Sequence, residues 1–153
     1  MAIEDDQQRA SLEAAVAAVR ELTSRLRQVQ GEVQRLGFIA RAFVERDISS
    51  STGRSLADWT KAADALGSAL AAAPADPQSR ARAAALVAAE RPRLATLRAY
   101  LERAPEKVNK VPGAVIKPTQ RAQFLKEMSE QVAAVQSLEQ HLARVAASLP
   151  SAV

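Results

Sequence analysis

The chain contains no cysteine. Disulfide frameworks, thiolate metal sites, iron–sulfur clusters and cysteine nucleophiles are therefore excluded, and the redox compartment leaves no trace in the composition. A single histidine, His141, is present, so a metal site would need carboxylates and any imidazole base would be this residue. Aromatic residues make up 3% of the chain, too few for a base-stacking surface. Phosphate-cradling loops of the Walker or dinucleotide type are absent, as is His-Glu-x-x-His. No apolar run approaches the roughly 18 residues of a membrane span. The opening Met1-Ala2-Ile3-Glu4-Asp5-Asp6 is acidic where a targeting peptide would be basic, and Ala2 is not the glycine that myristoylation requires. The expectation is a cytoplasmic protein with no membrane span, no cofactor, no small-molecule substrate and no enzymatic activity.

What is present in quantity is alanine, 34 of 153 residues, within a hydrophobic total of 48%. Alanine is the best helix former and a poor core filler, so this composition favours closely packed helices over a sheet of β-branched and aromatic residues. The length suits one domain of ordinary size spanning residues 1–153. The fold class predicted is all-α, a four-helix bundle or an elongated helical hairpin-type bundle with a long coiled-coil-like first helix.

That first helix is predicted over residues 6–47. Leu12, Val19, Leu26, Val33 and Ala40 occupy the a positions of a heptad, and Ala15, Leu22, Val29, Leu36 and Phe43 the d positions. A 3.5-residue apolar repeat of this length keeps one seam facing a partner. Gly31 and Gly37 weaken it, and Gly37 is the place for a break. Ser55 followed by Asp58 resembles a capping box opening a helix over 55–73 with the seam Leu56, Trp59, Ala63, Leu66 and Leu70. Asp76-Pro77 opens a third, 77–104, kinked or divided at Pro92. The fourth covers 119–149 with the seam Phe124, Met128, Gln131, Val135, Leu138, Leu142, Val145 and Leu149, and Pro150 stops it. Between them residues 105–118 carry three prolines and a glycine and read as a long loop.

At about 1.5 Å per residue the first helix outreaches the second by roughly 35 Å. Part of its seam is then without cover, unless the second and third helices laid end to end supply it. An uncovered apolar seam suits a second chain. Leu22, Leu26, Val29, Val33, Leu36 and Phe43 are therefore the candidate partner-binding residues, for a protein partner or for self-association. The function expected is that of a non-enzymatic interaction or scaffold protein.

The alternative is an accessory protein binding nucleic acid or another polyanion. Formal net charge is +4, and residues 76–117 hold nine basic and four acidic residues, which accounts for the excess. Arg80, Arg91 and Arg98 fall within about 40° of one another on a helix, and with Lys107 and Lys110 they are the candidate anion-binding set. Sixteen of the 21 basic residues are Arg, a bias that genome composition also produces. His141 and Glu139 lie on different helix faces and make no ligand pair, while Glu127 and Glu130 read as solvated charge. Trp59 reads as a core anchor, and Gln131 as a peripheral seam position. The final Ser151-Ala152-Val153 is a loose match to C-terminal peptides captured by strand addition.

Overall fold

The computed structural model describes residues 2–149, with side chains from Asp6 onward. Among these residues there are five α-helices and no strand: α1 (Ala2–Gln34), α2 (Phe38–Thr52), α3 (Leu56–Ala72), α4 (Pro77–Lys110) and α5 (Pro118–Ser148). One turn of 3-10 helix, Ala73–Ala75, joins α3 to α4. The fold is an all-α bundle. α1 packs between α3 and α5, and α4 packs between the same two helices from the opposite side. α1 and α5 run antiparallel, as Gln8 to the Ser148 carbonyl, Arg25 to Glu130 and Gln28 to Glu127 show. No helix among the described residues is long and apolar enough to cross a membrane.

The helix starts follow local chemistry. The Ser55 hydroxyl accepts from the Asp58 amide at 3.1 Å, and the Asp76 carboxylate accepts from the Ser79 amide at 2.7 Å. Each satisfies a donor that the first helical turn leaves without an intrahelical acceptor. Hydrogen bonds to Asp76, from the Ser79 amide first, hold its carboxyl below the ordinary range.

The predicted helix over 6–47 is two helices. α1 ends in a tight turn in which the Arg35 and Leu36 amides donate to the Glu32 and Val33 carbonyls. Gly37 then takes an extended conformation (φ −60°, ψ 157°) and caps α2. α2 does not prolong α1 but runs back along α4: Phe43 borders Lys107 and Lys110, Asp47 reaches Tyr100 and Lys107, and Arg54 beyond its end reaches Glu90. Like α3, it has α1 and α4 as neighbours. The heptad spacing through Ala40 and Phe43 is therefore not the continuation of one seam. Gly53 ends α2 with φ 81°, a conformation that a Cβ would strain, and its amide closes on the Ser49 carbonyl at 2.9 Å.

The length mismatch disappears with this division, since α1, α4 and α5 hold 33, 34 and 31 residues. The fourth side of the bundle is shared by α2 and α3. α4 is longer than the predicted 77–104. It stays helical through Pro92 and through Pro105 to Lys110, so the connection shrinks from the predicted 105–118 to residues 111–117. The carbonyls at its end, Val108 and Val111, are taken up by the Arg121 guanidinium from α5, which offsets the lost helical partners.

One apolar cluster runs through all five helices, from Leu12 and Leu149 at one end to Ile48, Ile116 and Phe124 at the other. Small residues let the helices approach closely. A Cβ built on Gly67 of α3 would lie 3.1 Å from a Val19 methyl of α1. Trp59 is the largest buried side chain, its indole N–H donating to the Thr52 hydroxyl at 2.8 Å. The Arg54 guanidinium lies 4.9 Å over its ring, a cation–π distance.

Candidate functional site

The seam of α1 is covered by the chain itself. Leu22, Leu26, Val29, Val33 and Leu36, expected to meet a partner, are all buried in the bundle against α3 and α5. Among the described residues, helices of matched length leave no apolar stripe of α1 in solvent, so these five positions are corrected to core. The sixth, Phe43, is different. It lies on α2 and is 51% exposed.

Phe43 belongs to a group of apolar side chains at one end of the bundle. Phe38 and Ile39 are 76% and 75% exposed, and Val115 is 39% exposed. The sharp turn at Gly37 aims the first two outward, since the turn gives α2 a face that neither α1 nor α4 covers. Ile39 and Phe43, one helical turn apart, form one wall of a groove of about 460 Å³. Val111, Pro112, Val115 and Ile116 form the other, and Lys107 and Lys110 stand along its α4 edge. The far wall is a closed turn in which the Val115 and Ile116 amides both donate to the Pro112 carbonyl, at 2.9 and 3.1 Å. Single exposed apolar residues are ordinary, but three of the four most exposed large ones, Ile39, Phe43 and Val115, line one concave space.

The surroundings are basic. Residues 35–47 and 103–117, which form this end, carry seven Arg and Lys against three Asp and Glu. Of the three acids, Asp47 is already engaged, by Lys107 at 3.0 Å and by the Tyr100 hydroxyl at 2.8 Å. Burial and that carboxylate hold the Tyr100 phenol far above its ordinary value. Lys110 makes no ion pair among the described residues.

The candidate anion-binding set does not form one surface. Arg98 is bound to Glu139 at 2.6 Å and to Glu102 at 3.2 Å, which raise its pKa in that order of importance. Lys107 is held by Asp47. Arg91 shares a shallow cleft with Glu139, and Arg80 lies a further three turns up α4. The charges that the helix aligns are thus divided by carboxylates from α2 and α5, and Lys110 alone of the set joins the apolar groove as an unpaired cation.

Two acidic residues sit where solvated charge was expected. Glu127 is 1% exposed, between α1 and α5. One carboxylate oxygen accepts from Gln28 at 2.9 Å and from Gln123 at 3.0 Å, while Oε2 is buried without a partner. Burial first, then the neighbouring Glu130 carboxylate, push its pKa up, with Arg25 acting against them. It borders a cavity of about 40 Å³ walled by Leu26, Trp59, Leu97 and Phe124, room for water and little more. Glu130 is half-buried and paired with Arg25 at 2.5 Å. Gln131 is core rather than peripheral, its amide reaching the Arg25 carbonyl at 3.3 Å. Glu90, not singled out in the sequence, is buried in a two-pronged pair with Arg54 at 2.7 and 2.8 Å. Its signal was its place in the α4 series Val87, Glu90, Leu94, Leu97. His141 is half-buried. Ser151-Ala152-Val153 lie outside the described residues. No group of three or more His, Asp or Glu side chains able to hold a metal ion occurs among the described residues.

The site is thus that of an all-α bundle with an apolar, basic-rimmed groove at one end. Comparison of the chain with protein-family models, with curated proteins and with solved structures finds no match.

Proposed function

We propose that this chain is a non-enzymatic interaction protein that docks another protein in the groove between α2 and the α4–α5 connection. The observation that carries this reading is the gathering of Ile39, Phe43 and Val115, all exposed, round one concave apolar surface, with the exposed Phe38 next in the chain to Ile39. Burying such side chains against a partner contributes on the order of 1.5–3 kcal/mol each, and aromatic anchors at the centre of a patch commonly dominate an interface. The first helix, by contrast, acts as scaffold. Polyanion binding along α4 has less support, because Arg98 and Lys107 are neutralised within the chain.

The test uses a photo-crosslinking amino acid at position 39 in the native cell. The crosslinked protein is identified, prepared separately and titrated against the purified chain. Ile39→Ser and Phe43→Ser are expected to weaken that reconstituted complex at least about tenfold, a loss of about 1.4 kcal/mol. Their thermal stability should match the parent chain, because both side chains are exposed. Unchanged affinity of both variants, or crosslinking to no protein, would overturn the reading.

A further inference from the structure

We infer that the occupant of the groove is an acidic amphipathic helix of another protein, an inference that rests on the docking reading above. The backbone of the walls decides the partner's secondary structure. One wall is a helix face, Ile39 and Phe43, and α2 is hydrogen-bonded internally. The other is the turn in which the Val111 amide donates to Val108, the Val115 and Ile116 amides to Pro112, and the Lys117 amide to the Gln120 side chain. Pro112 has no amide hydrogen. Neither wall offers the row of free donors and acceptors that an added β-strand requires, so a partner must satisfy its own backbone as it enters an apolar space. A helix does so, and its ridge of side chains at i, i+3 or i+4 and i+7 fits a trough between two walls.

Charge decides the rest of the partner's chemistry. Lys107 and Lys110 are the charged residues that line the groove; Lys107 is paired with Asp47, Lys110 stands unpaired among the described residues, and the two segments that form this end, 35–47 and 103–117, carry seven basic residues against three acidic ones. Carboxylates flanking the partner's apolar ridge are therefore favoured, and lysines there are repelled. The same argument disfavours a second copy docked groove to groove at low salt, which would bring two surfaces of like sign together. A lipid surface is the less favoured occupant. Membrane insertion uses apolar side chains that project together, whereas Ile39 and Phe43 face Val115 and Ile116 across a concavity.

The probe is a labelled helical peptide of about 20 residues with Leu at i, i+4 and i+7 and Glu at the flanking positions. It is titrated into the full chain beside the same peptide carrying Lys for Glu. Vesicles of phosphatidylcholine and phosphatidylserine in equal parts form the third arm. The acidic peptide is expected to bind at least about tenfold tighter than the basic one, to weaken as salt is raised, and to be lost with Ile39→Ser. Lys110→Glu should narrow the ratio between the two peptides without changing thermal stability. Equal binding of both peptides, binding of neither, or transfer of the chain to vesicles while the peptides stay free would each overturn the inference. The two readings fail separately. If the protein crosslinked at position 39 enters the groove through a strand, a loop or a basic helix, the acidic helix is wrong and docking stands. If Ile39→Ser and Phe43→Ser leave that complex intact, docking itself is wrong.

Discussion

Glu127 shows how a single residue departs from its sequence expectation. The apolar pattern of α5 steps four residues from Phe124 to Met128, whereas the structure takes the three-residue step. It buries Glu127 and leaves Met128 half-covered. Both steps are helical spacings, and hydrophobicity chose the wrong one because a glutamate in a core is uncommon. Gln28 and Gln123 make it tolerable by donating to one of its oxygens. The other oxygen raises the cost of the charged form. A pKa above the ordinary 4.5 means that the folded chain binds this proton more tightly than the unfolded chain. The stabilisation is then complete below the unfolded-state value and is lost as pH rises through the folded value. Glu127→Gln carries no such charge, so it is expected to melt higher than the parent chain at neutral pH, with the difference vanishing under acid. Melting curves over about pH 4 to 8 check this, and an unchanged difference across that range would show that Glu127 is not the titrating group.

At the scale of helices, most of the order was legible. Ser55 and Asp76-Pro77 set helix starts as expected, Pro118 opens α5 instead of closing the preceding loop, and the periodic leucines and valines of α1, α3, α4 and α5 form the core. Two boundaries fall elsewhere than the main reading sets them, for opposite reasons, although Gly37 is already the weak point of the first helix. The heptad suggested continuity past Gly37, where tertiary packing of α2 on α4 competes with the coil seam and wins. Pro105 suggests a stop, where Ala104 buried in the bundle and Arg121 at the helix end carry α4 six residues further, to Lys110. Because the α1 seam is core, Leu26→Asp buries a charge without a partner and is expected to unfold the chain outright. Circular dichroism and light scattering distinguish this from the alternative. A folded monomer released from a larger species would mean that the seam is an interface after all.

The whole molecule is asymmetric in a way that its mild net charge of +4 conceals. The apolar side chains with greatest exposure and the surplus of cations share one end. Their effects oppose each other in self-association, since burial favours contact between copies and like charge prevents it. Raising salt screens the second effect over about 10 Å at 0.1 M and leaves the first intact. The average mass from light scattering is therefore expected to rise with ionic strength, and Ile39→Ser is expected to abolish the rise. A mass that is independent of salt would remove the role given to the basic rim. This end was only partly legible in the sequence: Phe43, Lys107 and Lys110 were named, but for two separate surfaces. The turn at Gly37 that brings them together is a tertiary event.

α1 carries a geometric consequence of its own. From Gln8, which meets the far end of α5, to Gln34, three residues before the Gly37 turn, the helix advances about 40 Å at 1.5 Å per residue. On the proposed docking, the occupant is held at the tip of a stiff helix, about 40 Å from the end where Gln8 meets α5.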